Sequence, residues 1–292
     1  MKFGIHYIYW RNDLQCKSYT PYVARARKCG FDALELGDYL FLDLTPKELE
    51  ELKAAAADQQ IELVVSLDPP QDSALSSFDA SARDKGIRFY TDIFPRLQRL
   101  GVKCICGNML NAHFIPPFLT NHPREWDHAV QSLRQNCKAA EDYGLDVNCE
   151  VVNRYEGHIF NTARDGRRFM DEVDLPNAKL TLDAYHMNIE ESSFANAIFD
   201  AGERLGHFHL QENHRGLLGT GHLPLPEIRD ALHRIHYQGI CTMESLARAG
   251  GELADCARIW RDLTGWADEE GLDRNAEISV QSMRYLFSQG NL

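Results

Sequence analysis

Short apolar, β-branched runs alternate with longer amphipathic runs along the whole of this 292-residue chain. The short runs predict strands over 3–10, 32–36, 61–67, 102–108, 145–152, 179–185, 206–211 and 239–245. The longer runs predict helices over 21–28, 80–100, 123–143, 162–173, 193–205, 226–236 and 274–287. One more helix is expected from Thr45-Pro46-Lys47-Glu48, an N-cap threonine, a proline at the first helical position and a glutamate at the third, which is a capping box. Gly30, Gly101, Gly144, Gly206 and Gly239 stand where helices should stop, because glycine accepts the left-handed conformation that ends them. Strict alternation of strand and helix implies a parallel sheet, and eight such units close into a (β/α)8 barrel. No linker or composition break divides the chain. We therefore expect a single domain over 1–292 with a C-terminal helical extension.

Composition narrows the partners. Lys plus Arg number 31 against 43 Asp plus Glu, a net charge of −12, which argues against a nucleic-acid backbone or an anionic membrane as partner. The first residues, Met1 to Tyr7, lack the apolar core and cleavage site of a secretory signal, and no run of about 18 residues is apolar enough to span a bilayer. The eight cysteines include no CxxC pair, and Cys104 and Cys106 share one strand face without a second pair to complete a metal site. The expectation is a cytoplasmic protein with reduced core cysteines.

In a (β/α)8 barrel the chemistry sits at the C-terminal ends of the strands. The fifth predicted strand ends Asn148-Cys149-Glu150-Val151-Val152-Asn153, and the sixth Thr181-Leu182-Asp183-Ala184-Tyr185-His186. The seventh carries Gly206-His207-Phe208-His209, and the eighth Thr242-Met243-Glu244-Ser245. A charge inside an apolar run is costly unless paired or bound to metal. Glu150, Asp183, His209 and Glu244 thus form a candidate metal set from four adjacent strands, suited to Mn²⁺, Mg²⁺ or Co²⁺. His207 is expected to face the helical layer while His209 faces the barrel. His6, on the first strand, is a candidate pocket residue. Trp260 and Trp266 are candidates for packing or subunit contact, and Asp268-Glu269-Glu270 for a solvated face.

Two segments carry a resemblance. Glu150-Val151-Val152-Asn153-Arg154-Tyr155-Glu156 resembles the E-V-x-N-R-[FY]-E motif of the ketose 3-epimerases, the D-tagatose 3-epimerase and D-allulose (D-psicose) 3-epimerase family of xylose-isomerase-like TIM barrels. Leu182-Asp183-Ala184-Tyr185-His186-Met187-Asn188-Ile189-Glu190-Glu191 is similar to that family's L-D-x-[FY]-H-M-N-I-E-E. Gly206-His207-Phe208-His209 and Met243-Glu244 resemble two further segments, and weaker similarity covers essentially the whole chain.

The resemblance implies an isomerase that epimerises C3 of a free ketose, of the D-allulose/D-fructose or D-tagatose/D-sorbose type. It implies metal binding by Glu150, Asp183, His209 and Glu244, with Mn²⁺ as the expected ion and Co²⁺ or Mg²⁺ as alternatives. Glu150 and Glu244 would also be the two acid/base groups, one on each face of the sugar, and Glu156, His186 and Arg215 would bind its O1–O3 end. A homodimer or homotetramer is implied. The chemistry is consistent: removing the C3 proton leaves an enediolate that a cation and nearby donors stabilise, while one carboxylate takes a proton and the other returns one. Neither a dinucleotide-binding GxGxxG turn nor a P-loop is present.

The chain departs from the family at His6, at Cys106-Gly107-Asn108-Met109, near His113 and at Ser245-Leu246, positions that line the sugar-tail part of the pocket in the family. Rival readings are an aldose–ketose isomerase and a 3-keto-sugar enzyme of the same superfamily. A barrel endonuclease acting at abasic DNA sites is disfavoured by the charge of −12. A non-catalytic sugar-binding protein would not need two metal-bound carboxylates.

Overall fold

A computed structural model describes residues 1–13, 16–37, 39–111 and 122–289, with His122 described by its backbone alone. His113 lies outside the described residues. The strands are β1 (Lys2–His6), β2 (Ala33–Leu36), β3 (Glu62–Ser66), β4 (Cys104–Gly107), β5 (Asp146–Val151), β6 (Ala178–Asp183), β7 (Leu205–His209) and β8 (Ile240–Met243). They form a closed barrel in chain order. Between and after them run α1 (Thr20–Cys29), α2 (Leu40–Asp43), α3 (Pro46–Asp58), α4 (Ala80–Leu100), α5 (His122–Glu141), α6 (Ala163–Val173), α7 (Ala184–Glu190), α8 (Phe194–Ala201), α9 (Leu225–Arg234), α10 (Glu252–Ala257) and α11 (Glu269–Ser288).

The chain falls into two compact units, Met1–Val64 with Phe208–Leu292, and Val65–His207. In the first, β1 lies between β2 and β8, all parallel, with Gly4 opposite both Ala33 and Thr242. Any side chain at Gly4 would come within 2.9 Å of Thr242 Oγ1, so the smallest residue permits the strand contact. In the second, β5 pairs in parallel with β4 and with β6.

The alternation and the barrel agree with the pattern in the sequence. The capping box forms, with Glu48 N donating to Thr45 Oγ1 and Thr45 N donating to Glu48 Oε2 at 2.7 Å. The apolar run 3–10 is not one strand: it leaves the sheet after His6 and turns into a 3-10 helix, Tyr7–Trp10. Its aromatic side chains stay buried, Tyr7 against Tyr19 and Trp10 against Tyr22, and Tyr9 Oη donates to Leu272 O. These aromatic residues are as buried in the turn as the strand residues before them, so hydrophobicity could not mark the boundary.

Gly30 and Gly101 end α1 and α4 in the left-handed conformation, with φ of 96° and 79°. Gly206 and Gly239 do not end helices: α8 stops at Gly202, and α9 gives way at Ile235. Gly206 lies within β7, where an added Cβ would sit 2.4 Å from Asn148 Oδ1. Close approach, not backbone freedom, explains that glycine. α11 starts at Glu269, five residues before the predicted 274, because Asp268 caps it by accepting from Gly271 N. No disulfide joins the cysteines among the described residues; burial pushes the Cys241 thiol up to about 12 and raises Cys149 well above the usual thiol range.

Candidate active site

β5 alternates by period two, so Val147, Cys149 and Val151 share one face and Asn148 and Glu150 the other. β6 ends on Asp183, which is fully buried. Its carboxylate accepts from Tyr185 N at 2.6 Å and so caps α7, whose first residues continue directly from the strand. Three residues along, His186 presents Nε2 at 3.8 Å from Glu150 Oε1, 3.8 Å from Glu156 Oε2 and 4.0 Å from Asp183 Oδ2. Its other nitrogen, Nδ1, lies 3.2 Å from the backbone N of Asn153. A backbone N–H can only donate, so Nδ1 is the acceptor and the ring hydrogen sits on Nε2, facing the three acids. The Asn153 amide also donates to Glu156 Oε1 at 3.2 Å.

In the other unit β7 ends on His209, fully buried, and Glu244 follows β8 by one residue. His209 Nε2 lies 3.0 Å from Glu35 Oε1, and Nδ1 lies 3.6 Å from Glu244 Oε2. That same Glu244 oxygen accepts from Arg215 Nη1 at 3.1 Å and from Gln211 Nε2 at 3.3 Å. Arg215 sits at φ 58°, a left-handed conformation that costs a non-glycine residue about 1–2 kcal/mol. Its surroundings hold it there. Arg215 O accepts from Leu246 N at 2.9 Å, and the buried Glu212 carboxylate accepts from Gly219 N at 2.7 Å and closes the loop.

Glu150, Asp183, His209 and Glu244 each offer one ligand atom, and these atoms lie within 4.8 Å of one another. Three carboxylates this close repel unless a cation sits among them, and the set suits a hard or borderline divalent ion. Glu35, His207 and His209 satisfy the same distance. This corrects the expectation for His207: residues two apart on a strand share a face, so His207 lies on the side of His209. Cys104 and Cys106 belong to neither group. His6 ends β1 buried, its Nδ1 accepting from Ile8 N at 3.3 Å.

A profile of the xylose isomerase-like TIM barrel family matches residues 23–270. The chain belongs to that family. Within it, the D-psicose 3-epimerase of Ruminiclostridium cellulolyticum is 38% identical over 98% of this chain and 98% of its own. A crystal structure of D-psicose 3-epimerase with D-tagatose, from Clostridium cellulolyticum H10, superposes with a TM-score of 0.95 at 38% identity, over 98% of this chain and 99% of that one. A D-psicose 3-epimerase solved in the presence of D-fructose gives a TM-score of 0.95 at 34% identity, over the full length of both chains. These relatives are epimerases, and the chain is an enzyme of their isomerase class.

For this member of the xylose isomerase-like family, the two long motifs also carry scaffold contacts. Arg154 grips Glu190 with Nε at 2.8 Å from Oε1 and Nη2 at 2.6 Å from Oε2, which holds the Glu190 carboxyl below the usual carboxylate range. Glu191 accepts from Ala163 N at 2.7 Å at the start of α6, while burial holds its carboxyl above that range. Three buried residues of the site were missed in the sequence: Asn153, Gln211 and Glu35. Glu35 carried a visible signal, being a carboxylate inside the apolar run Ala33-Leu34-Glu35-Leu36. The rule that found Glu150 finds Glu35 when it is applied to β2.

Proposed function

We propose that the protein epimerises C3 of a free ketose, of the D-allulose/D-fructose or D-tagatose/D-sorbose type, with a divalent cation held by Glu150, Asp183, His209 and Glu244. The observation that carries this reading is the convergence of four ligand atoms within 4.8 Å. The epimerase relatives, matched along nearly their full length, supply the reaction class. When bound, the cation, Mn²⁺ in this proposal, polarises the C2 carbonyl and so acidifies the C3 proton.

The chain's own groups do the rest. One of Glu150 and Glu244, ionised, takes the C3 proton from one face of the sugar. The other, protonated, returns a proton to the opposite face, and reversal of the pair's protonation runs the reaction backwards. His186, with its hydrogen on Nε2, and Arg215 donate to the oxygens of the enediolate at the O1–O3 end, where Glu156 accepts from a hydroxyl. His6 contacts the sugar further along. Assembly as a homodimer or homotetramer is part of the proposal. Trp260 and Trp266, 74% and 80% exposed, are the surface candidates for it, and sedimentation velocity reads the outcome.

The deciding experiment strips metal with EDTA, restores Mn²⁺ or Co²⁺, and presents a panel of ketohexoses and ketopentoses, with products resolved by chromatography. Products differing only at C3, formed only with metal, are the expected result. Aldose products would assign an aldose–ketose isomerase instead, and full activity without metal would remove the cation from the reading.

A further inference from the structure

The mechanism above makes no use of Glu35, yet it is as fully buried as Asp183. All four residues of β2 are buried, and Glu35 itself is 0% exposed. A carboxylate in such a strand is retained only with a strong partner. One such partner is His209, also 0% exposed, whose Nε2 lies 3.0 Å from Glu35 Oε1.

The hydrogen bond decides which ring nitrogen is free to do what. A carboxylate accepts and does not donate, so the hydrogen of a neutral imidazole sits on Nε2. Nδ1 then carries a lone pair. It lies 3.6 Å from Glu244 Oε2, beyond hydrogen-bond range. A nitrogen lone pair and a carboxylate oxygen facing each other repel, and a cation between them would turn that repulsion into attraction at both atoms. The geometry of one ring therefore separates two functions: the Nε2 edge is tied to the scaffold, and the Nδ1 edge is offered to a cation.

We propose that Glu35 is a positioning residue for the metal site: it holds His209 in the Nε2–H form and fixes the ring so that Nδ1 is presented as ligand. Glu35 touches neither cation nor sugar. Buried carboxylates that orient ligating histidines raise metal affinity by about 10- to 100-fold. The inference rests on the assignment of His209 as a ligand under Proposed function. It also accounts for the second cluster, Glu35 with His207 and His209, without a second ion. An ion there would have to displace the Nε2 hydrogen that Glu35 already accepts.

The test uses the full-length protein, with Co²⁺ as the probe. Wild type, Glu35→Gln and Asp183→Ala are titrated with Co²⁺ against a competing chelator, and the visible absorption of bound Co²⁺ is recorded. Glu35→Gln keeps the size of the side chain and removes its charge. The expected result is one Co²⁺ per chain in wild type, about 10- to 100-fold weaker binding in Glu35→Gln with an altered Co²⁺ spectrum, and loss of binding in Asp183→Ala. Unchanged Co²⁺ affinity and spectrum in Glu35→Gln, with lower thermal stability alone, would make Glu35 merely structural and overturn the inference. Two Co²⁺ per chain in wild type, one of them lost in Glu35→Gln, would make Glu35 a ligand and overturn it too. If Asp183→Ala binds Co²⁺ like wild type, the proposed site itself is wrong, a failure distinct from the other two. A measurement on the wild type guards against a variant that does not fold. ¹⁵N NMR of histidine-labelled, metal-free protein should show His209 with its hydrogen on Nε2, and a hydrogen on Nδ1 instead would refute the proposal.

Discussion

The acid that ends β6 and the acid that follows β8 are held by different means. Asp183 is fixed by the backbone, because it caps the helix into which its own strand runs. Glu244 is fixed by long side chains, since one oxygen takes hydrogen bonds from both Arg215 and Gln211. The first arrangement includes a contact set by local chain geometry, the cap on Tyr185 N. The second depends on a loop, 212–223, that must itself be kept in shape. The lesson is that, on the proposed function, disturbance of the β6 end should be felt in metal affinity, and disturbance of the β7 loop in the turnover rate.

The largest effect should come from Asp183→Ala, which removes a proposed ligand and a helix cap together. Mn²⁺ affinity measured by calorimetry should fall more than about 100-fold, beyond what loss of an orienting residue produces. Retention of near wild-type affinity would break the comparison at its first step. Next come Glu150→Gln and Glu244→Gln, each expected to lower epimerisation by about 10²-fold or more. In D₂O, NMR of each C3 epimer should show one variant exchanging the C3 proton of one epimer and the other variant that of the opposite epimer. Exchange from both epimers by a single glutamate would replace two bases with one. Arg215→Ala should then lower turnover by about 10²-fold, the scale of a lost oxyanion donor, and leave Mn²⁺ affinity nearly unchanged. A loss of metal matching that of Asp183→Ala would show that the loop serves the ion after all.

Stability sharpens the contrast at smaller scale. Gly206→Ala forces a methyl against Asn148 beneath the β5 acid and should cost about 2 kcal/mol in urea unfolding of the metal-free protein. Thr45→Ala removes only a surface cap on α3 and should cost about 1 kcal/mol.

Periodicity made much of this legible. α4 runs over the predicted 80–100, and the four ligand candidates came from charges breaking apolar runs. What stayed hidden has physical causes. Tyr7, Tyr9 and Trp10 are as buried in a 3-10 turn as they would be in a strand, so no change of polarity marks where the sheet ends. The predicted strand 179–185 runs two residues into α7 because the residue that stops β6, Asp183, is also the one that starts the helix. Gly239 has the look of a helix stop, yet its lack of a side chain makes room for Tyr237, whose hydroxyl oxygen would lie 2.3 Å from an added Cβ. Asn153 and Gln211 escaped because a neutral amide in a polar segment breaks no pattern. Their importance lies in what they touch.

Leu246 N donates to Arg215 O at 2.9 Å and Ser245 Oγ to Gly216 O at 2.9 Å, so the segments after β7 and β8 inherit each other's mutations. A substitution at 246 that shifts its backbone reaches an arginine already held in a left-handed conformation, and through it the oxygen of Glu244. Paired substitutions drawn from 215, 216, 245 and 246 should therefore be epistatic by about 0.5–3 kcal/mol, as for residues that share partners. In laboratory evolution toward another sugar, the order in which these positions change would then decide which intermediates remain active. A variant at 246 that is inactive alone should become acceptable once the β7 loop has adjusted, and libraries that vary the two segments together should reach sequences that stepwise selection does not.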